Sequence, residues 1–553
     1  MPVRTAPSRM SEPAAPRYPA LAGADPLVRY RGVLALGAGA VAATGFEPLG
    51  LWPVTLAAVA LLMALVARAP GPARAALIGW LFGIGHFTVG NTWIATAFTY
   101  QADMPAWLGW IAVVALALYL AVFPALATLA AWFFRERVVA GDGARAGAAA
   151  WPFVLAFAGC WTIAEWLRSW VCTGFAWNPL GMVTLAGFAR PGLAMLAPWT
   201  GTYALSALVV LLAGCWLMAT RRLSPGARAG LAIAPVAALM VPQALAPPLP
   251  PGTLAFTLVQ PNVPQAELTD PAKYEGQFRR IAGLTLARRP GERRLVLWPE
   301  SGIPDYLRDG YPQVFYEDST FAADPALARA RIGRVIGPGA MLLTGAVDLE
   351  LARGRVVAAR NAVTAVDAGG GLRGSYAKAH LVPYGEYLPL RSLLEPLGLS
   401  RLVAGTLDFW PGPGPQTLDL GPWGRVGVQI CYEIIFSGQV VDRADRPAFL
   451  FNPSNDGWFG AWGPPQHLAQ ARMRAIEEGL PVLRATTTGI SAVIDADGVV
   501  RAHLPQHVSG RLDGTVPPPH PPTLFARAGN LLPLGWAGLL LVLSAIALHR
   551  RRR

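Results

Sequence analysis

The sequence predicts two architectures in one chain: eight membrane-spanning helices, and an extramembrane domain that mixes strands with helices. Three observations predict this. Of 553 residues only 14% are charged and 53% are hydrophobic, against roughly 25% charged in soluble domains. The apolar residues are concentrated in long blocks between Val33 and Leu245 and again between Leu531 and Leu548. Between Gly252 and about Gly514, charges return and short β-rich runs alternate with helical stretches. Intrinsic disorder is excluded by the apolar bulk of 19 Trp and 21 Phe. Four cysteines are too few for a disulfide framework in a chain of this length.

About 20 predominantly apolar residues cross a bilayer as a helix. Spans are expected near 31–47, 51–67, 75–97, 106–133, 149–167, 192–218, 229–246 and 530–549. The first two are separated by Gly45-Phe46-Glu47-Pro48-Leu49-Gly50, where Pro and Gly end helices and Glu47 would be costly in lipid. Basic residues gather before the first span (Arg29, Arg31), after the second (Arg68, Arg74), after the fourth (Arg135, Arg137, Arg145), after the sixth (Arg221, Arg222, Arg228) and from Arg550 to Arg553. The alternate loops hold only Arg168 and Arg190. The positive-inside rule then puts both termini in the cytoplasm and the long segment between the last two spans on the outer face. The formal charge of +13 reads as topology rather than nucleic-acid binding. The expected division is a cytoplasmic tail (1–30, too long and basic for a cleavable signal), seven helices (31–250), a catalytic domain (251–515), a linker (516–529), the last helix (530–549) and a basic tail (550–553). Within the fifth span Glu165 and Arg168, three apart, read as an ion pair.

In the outer segment, strands are expected at Leu254–Gln260, Arg294–Trp298, Ala340–Val347, Ala362–Asp367, Val426–Ile430, Ala448–Asn452, Val482–Thr486 and Ala492–Asp495. Asp495-Ala496-Asp497-Gly498 is a hairpin signal. Helices are expected at Ala272–Ala287 and Pro465–Glu478. This is one α/β or α+β domain.

Several catalytic templates are absent: no Walker A loop, no His-Glu-x-x-His, no Gly-x-Ser-x-Gly, and seven scattered histidines without ligand spacing. No metal and no cofactor is expected. The lysine count is more informative. Only Lys273 and Lys378 occur among 46 basic residues, so an ammonium kept within Ser375-Tyr376-Ala377-Lys378-Ala379-His380 suggests a compact cation that a planar guanidinium cannot replace. Cys160, Cys172 and Cys215 lie in or beside spans, as small apolar fillers do. Cys431 alone lies in the outer domain, at the end of the apolar run Val426-Gly427-Val428-Gln429-Ile430, where it reads either as a nucleophile or as an inert core thiol. Glu300 follows the strand-like Leu295-Val296-Leu297-Trp298-Pro299 and is either a general base or a capping acid.

Three segments together resemble the Glu, Lys and Cys motifs of the nitrilase superfamily. They are Trp298-Pro299-Glu300, Tyr376-Ala377-Lys378-x-His380-Leu381-Val382-Pro383-x-Gly385-Glu386 and Gly427-x-x-Ile430-Cys431-Tyr432-Glu433. With Asn452-x-Ser454-Asn455-Asp456-x-Trp458-Phe459-Gly460 and the membrane-half patterns Gly79-Trp80-x-Phe82-Gly83 and Thr173-Gly174-Phe175-x-Trp177, the chain is similar to the membrane-embedded branch, the apolipoprotein N-acyltransferases. It departs from that pattern after Pro264-Gln265, where members often carry a Trp and this chain has Ala266-Glu267-Leu268-Thr269-Asp270.

The resemblance implies an αββα sandwich in the bacterial inner membrane, with the catalytic domain periplasmic and the chain a monomer. It implies Glu300 as proton carrier, Cys431 as the thiol that attacks a phospholipid ester, and Lys378 as oxyanion stabiliser with a backbone N–H near Tyr432. Glu386 and Glu433 would support Lys378 and the site. Tyr387, Leu388, Trp458 and Phe459 would contact substrate. The acceptor would be the amine of an S-diacylglyceryl-cysteine apolipoprotein. The leucine-rich stretch Tyr387–Trp410 reads as a membrane-facing lid or as an ordinary buried helix. The alternative function is a membrane-anchored carbon–nitrogen hydrolase using the same three groups.

Overall fold

Helices form in every apolar block. The computed structural model describes residues 26–100, 105–135, 144–220, 223–240, 250, 252–289, 291–394, 396 and 407–552. Its apolar helices are Arg31–Ala42 (continued by a 3-10 turn, Ala43–Gly45), Trp52–Ala67, Pro72–Gly90, Leu108–Leu120 running into Val122–Trp132, Ala144–Arg168, Thr202–Ala219, Pro225–Met240 and Leu531–Arg552. Among the described residues, three stretches are long and apolar enough to cross a membrane: Leu108–Trp132, Thr202–Ala219 and Leu531–Arg550. Small residues let neighbours approach closely. A Cβ on Gly39 would lie 1.9 Å from the Phe82 carbonyl oxygen, so the helices Arg31–Ala42 and Pro72–Gly90 cross nearly backbone to backbone.

One expectation for this half is corrected and another is extended. The stretch 192–218 is not one helix. Pro198 and Gly201 (φ +72°) break it, leaving a 3-10 turn Gly192–Leu196, a single turn Ala197–Thr200 and a helix that starts at Thr202. Glu165 and Arg168 spend their hydrogen bonds on other groups. Glu165 accepts from Trp161 Nε1 (2.9 Å) and Leu180 N (2.8 Å), while Arg168 donates to the carbonyls of Phe175 (2.9 Å) and Trp177 (2.8 Å). The two charges attract each other, as expected, and their hydrogen bonds also brace the loop 170–180. Residues 241–246 of the expected seventh span lie outside the described residues.

Among the described residues the outer domain holds twelve strands: β1 Ala255–Gln260, β2 Arg294–Leu297, β3 Ala340–Ala352, β4 Arg355–Asp367, β5 Leu372–Ala377, β6 Thr417–Asp419, β7 Arg425–Val428, β8 Phe449–Ser454, β9 Val482–Thr486, β10 Ser491–Ile494, β11 Val500–Leu504 and β12 Gly510–Thr515. They form two six-stranded sheets, ordered β12-β1-β2-β3-β4-β5 and β11-β10-β9-β8-β7-β6. Each has three parallel strands (β1, β2, β3 and β7, β8, β9) extended by antiparallel neighbours. The period-two alternation assigns the layers. Phe256, Leu258, Leu295 and Leu297 face the other sheet and meet Val426, Val428, Phe449 and Phe451. Val259, Val296 and Trp298 face outward, onto the helices Tyr274–Thr285 and Pro325–Ile336. Leu450, Val482 and Ile494 face the helix Gly463–Glu478 on the far side. Four layers result, helix–sheet–sheet–helix.

Helix Gly463–Glu478 is buried on every side because the membrane half covers its outer face. Arg472 donates to the carbonyls of Ala186 (2.9 Å), Gly187 (3.1 Å) and Arg190 (2.9 Å). The Glu477 carboxylate accepts from Thr202 N (2.7 Å) and Oγ1 (2.6 Å), capping the membrane-half helix that begins there.

Candidate active site

The site lies where β2, β5 and β7 end. Glu300 follows β2 by way of Pro299. Its backbone leans so closely on β3 that a Cβ on Gly345 would sit 2.7 Å from the Glu300 Cα, so only glycine fits there. Lys378 follows β5, and its N–H donates to the Asn361 carbonyl (2.8 Å) on β4. Cys431 follows β7 and Gln429-Ile430 at a sharp elbow, with φ +51°, a conformation that costs an L-residue about 1–2 kcal/mol.

These three side chains converge in a buried space. Glu300 is 7% exposed, Lys378 2% and Cys431 5%. The Lys378 ammonium sits 2.9 Å from Glu386 Oε2 and 3.6 Å from Glu300 Oε1. Asn361 Nδ2 donates to both carboxylates, at 2.7 Å to Glu300 and 2.9 Å to Glu386. The other Glu300 oxygen accepts from Asn455 N (2.8 Å), and the same N–H reaches the Cys431 sulfur. One cation thus sits between two carboxylates beside a thiol.

Burial raises the Cys431 pKa well above a thiol's usual value, Glu300 adds to the rise, and Lys378 pulls against both. The resting group is therefore a neutral thiol that needs a base. For Lys378, burial opposes the charge, but Glu386, Glu300 and Cys431 outweigh it and raise the pKa, so the ammonium is fixed at neutral pH.

Glu386 touches Lys378 directly and also accepts from Val382 N (2.8 Å). Glu433 does something different. Its Oε1 accepts from Tyr376 OH (2.8 Å), Ala379 N (2.7 Å) and His380 N (3.1 Å), and its Oε2 from Ile430 N (2.7 Å). It ties the lysine loop to the cysteine elbow. Burial lifts its pKa to about 7, although four donors favour the carboxylate. Glu433→Gln would turn an NH2 toward a donor, and we expect it to lower stability by about 1–3 kcal/mol. Thermal unfolding of the detergent-solubilised protein measures this; an unchanged Tm would show the tie to be unimportant.

The Tyr432 hydroxyl donates to the Gly174 carbonyl (3.2 Å) in the membrane half. His380 contacts the neighbouring Thr173 carbonyl (2.8 Å). Phe459 packs against Trp93 (4.7 Å between centroids) and Trp177 (5.8 Å), and Trp458 against Tyr100 (6.0 Å). Leu388 is buried and Tyr387 half-buried, next to the exposed Leu390 and Leu393. Residues 395 and 397–406 of the expected lid lie outside the described residues.

Sequence reasoning missed Asn361, the shared donor of both carboxylates, because a lone Asn within a strand carries no local signal. It also assigned no role to the buried set Asp456, His467 and Arg484. The Arg484 guanidinium pairs with both Asp456 oxygens (2.8 and 2.7 Å), and His467 Nε2 lies 3.0 Å from the Cys431 carbonyl oxygen.

Both halves of the chain resemble known proteins. Residues 38–215 match the apolipoprotein N-acyltransferase N-terminal domain, and residues 260–518 match the carbon-nitrogen hydrolase family. The chain is 35% identical to the apolipoprotein N-acyltransferase of Rhodopseudomonas palustris over 91% of its own length and 92% of that protein's. It is 36% identical to the one from Bradyrhizobium diazoefficiens, over 94% and 95%. Among solved structures, an amidase of the nitrilase superfamily from Nesterenkonia covers 49% of this chain and 93% of its own, at 17% identity and TM-score 0.31. The carbon-nitrogen hydrolase match gives the outer domain its nitrilase-like α/β class, and the near-complete alignment with both relatives shows that the chain belongs to the apolipoprotein N-acyltransferase family.

Proposed function

We propose that this protein moves an acyl chain from a phospholipid, through a thioester on Cys431, to the N-terminal amine of S-diacylglyceryl-cysteine apolipoproteins. The observation that carries this reading is the buried cluster of thiol, ammonium and carboxylates in a domain docked on apolar helices.

Glu300 takes the Cys431 proton, and the sulfur attacks the ester carbonyl carbon. Lys378 and the Tyr432 N–H receive the developing oxyanion. The carbon–oxygen bond to glycerol breaks, and Glu300 returns its proton to the leaving alkoxide, giving lysophospholipid and acyl-Cys431. The lipoprotein amine then attacks the thioester, Glu300 accepts the amine's proton, the carbon–sulfur bond breaks, and the thiolate recovers a proton from Glu300. Glu386 holds Lys378 in place and Glu433 holds the elbow. Tyr387, Leu388, Trp458 and Phe459 belong to the substrate-facing wall.

The docking of the domain on the membrane half supports an eight-span reading, with both termini cytoplasmic and residues 251–515 on the periplasmic side of the inner membrane. The Arg clusters in the loops assigned to the cytoplasm, against only Arg168 and Arg190 in the alternate loops, support the same orientation. Anchoring spares the enzyme the extraction of acyl chains, about 0.8 kcal/mol per CH₂. The chain is read as a monomer.

The test incubates purified protein with phosphatidylethanolamine vesicles and weighs it intact. A single acyl adduct on Cys431, discharged by a diacylated lipopeptide that gains a third chain, is expected. A protein that stays unmodified and instead releases ammonia from small amides would overturn the reading in favour of hydrolysis.

A further inference from the structure

The mechanism leaves a buried imidazole beside the nucleophile unused. His467 is 0% exposed on helix Gly463–Glu478, beside the elbow that carries Cys431. Its Nε2 is 3.0 Å from the Cys431 carbonyl oxygen, and its Nδ1 is 3.0 Å from both Asp456 Oδ1 and the Arg484 guanidinium. A carbonyl can only accept, so Nε2 carries a proton in every state that makes this bond. Burial first, and Arg484 second, lower the ring's pKa. In the neutral ring Nε2–H donates to Cys431 and the Nδ1 lone pair accepts from Arg484. The Asp456 carboxylate beside Nδ1 pulls the other way, toward a second proton there, and Nε2–H is kept in either state. Trp177 (5.3 Å between centroids) and Phe459 (5.6 Å) pack against the ring and hold it at that angle.

The Cys431 carbonyl and the Tyr432 N–H belong to one planar trans peptide, so they point in opposite directions. Fixing the oxygen fixes the N–H. The elbow needs such a hold, because Cys431 at φ +51° sits in a conformation that its own side chain disfavours. We propose that His467 is a positioning residue for the nucleophile, its Nε2–H pinning the Cys431 carbonyl so that the Tyr432 N–H stays aimed at the oxyanion. This rests on the acyl-enzyme reading above, and it adds that the membrane half reaches the nucleophile through the Trp177–His467 contact.

The test compares His467→Leu, His467→Gln and His467→Asn in the full-length protein. Leu removes the donor, Gln keeps an N–H at the reach of Nε2, and Asn keeps one a bond too short. Each is assayed by the nitrophenol burst from a short-chain p-nitrophenyl ester, and by acyl-adduct formation from phosphatidylethanolamine vesicles. Burst amplitude counts intact sites, so the rate constant per site separates positioning from folding. The expected result for His467→Leu is a rate constant about 100-fold lower, with half-saturating ester concentration unchanged. His467→Gln is expected to recover to within about 10-fold and His467→Asn to fall between. Should Leu react at the wild-type rate per site, or Gln be no faster than Asn, the proposal is overturned. Wild-type protein that reacts with the nitrophenyl ester but takes no acyl chain from vesicles would sink the phospholipid reading and still decide the role of His467.

Discussion

Cys431→Ala is expected to abolish the acyl adduct and to lower transfer to a diacylated lipopeptide by at least about 10⁴-fold, the scale seen when a covalent nucleophile is lost. The fold should survive. Cys431 sits in the core between the two sheets, and alanine keeps the Cβ that packs there while giving up only the sulfur. The elbow makes a second comparison possible. Because φ at Cys431 is +51°, Cys431→Gly releases a strain of about 1–2 kcal/mol that Cys and Ala both bear. The glycine variant should therefore be as dead as the alanine variant and yet more stable than it. Intact mass, lipopeptide acylation and thermal unfolding on the same preparations check the set. A glycine variant that is less stable than alanine would mean the elbow is not strained, and an alanine variant that still transfers acyl chains would remove the thioester from the mechanism.

What could be read from the sequence follows from how local its signal is. Strands β1, β2, β7, β8 and β9 are buried on both faces and appear as continuous apolar runs, so their positions stand out. Strand β11 is half exposed and polar, and only the hairpin signal Asp495–Gly498 before it points to it; β12 is likewise half exposed and pairs with β1 across the length of the domain, and no local pattern announces it. The expected strands Ala340–Val347 and Ala362–Asp367 are the inner parts of one long hairpin. Its outer ends are exposed, and it turns at Arg353-Gly354, both with positive φ. Helix Pro325–Ile336 did carry a signal that was passed over: Asp324 caps Ala326 and Leu327, Pro325 stands at the first position and Gly337 follows the end. The three side chains proposed to react, Glu300, Lys378 and Cys431, could be named because each lies in a short motif legible in the sequence. Their neighbours Asn361 and His467 act only through contacts that folding creates, from strands and helices far away in the chain.

Lys378→Met is expected to damage both rate and stability, and the two losses should respond differently to rescue. The ammonium is the only cation within 4 Å of Glu300 and Glu386 among the described residues, and both carboxylates also hang on Asn361 Nδ2. Without it, two buried carboxylates keep only neutral donors: Asn361 Nδ2 between them and the backbone N–H groups of Asn455 and Val382. Breaking a buried pair in this way costs about 3–5 kcal/mol, and losing the oxyanion cation costs about 10²–10³ in acylation rate. The pH dependence has a definite sign. With the cation gone, two like charges face each other in a buried site, and a proton on either carboxylate relieves the repulsion. That relief is present at low pH and is lost as pH rises and both groups ionise. The variant should then be least stable at neutral and alkaline pH and recover toward pH 5. In the wild type the Lys378 pKa is itself raised, so its contribution persists across that range and disappears only as the solution becomes strongly alkaline. Lys378→Arg separates charge from shape. It restores a cation to the two carboxylates and should regain much of the stability, but a planar guanidinium in a space with 2% exposure cannot put a point charge where the ester oxygen develops. Stability recovered without rate is the outcome that ties Lys378 to the oxyanion; an arginine variant that acylates at the wild-type rate would reduce the lysine to a counter-ion.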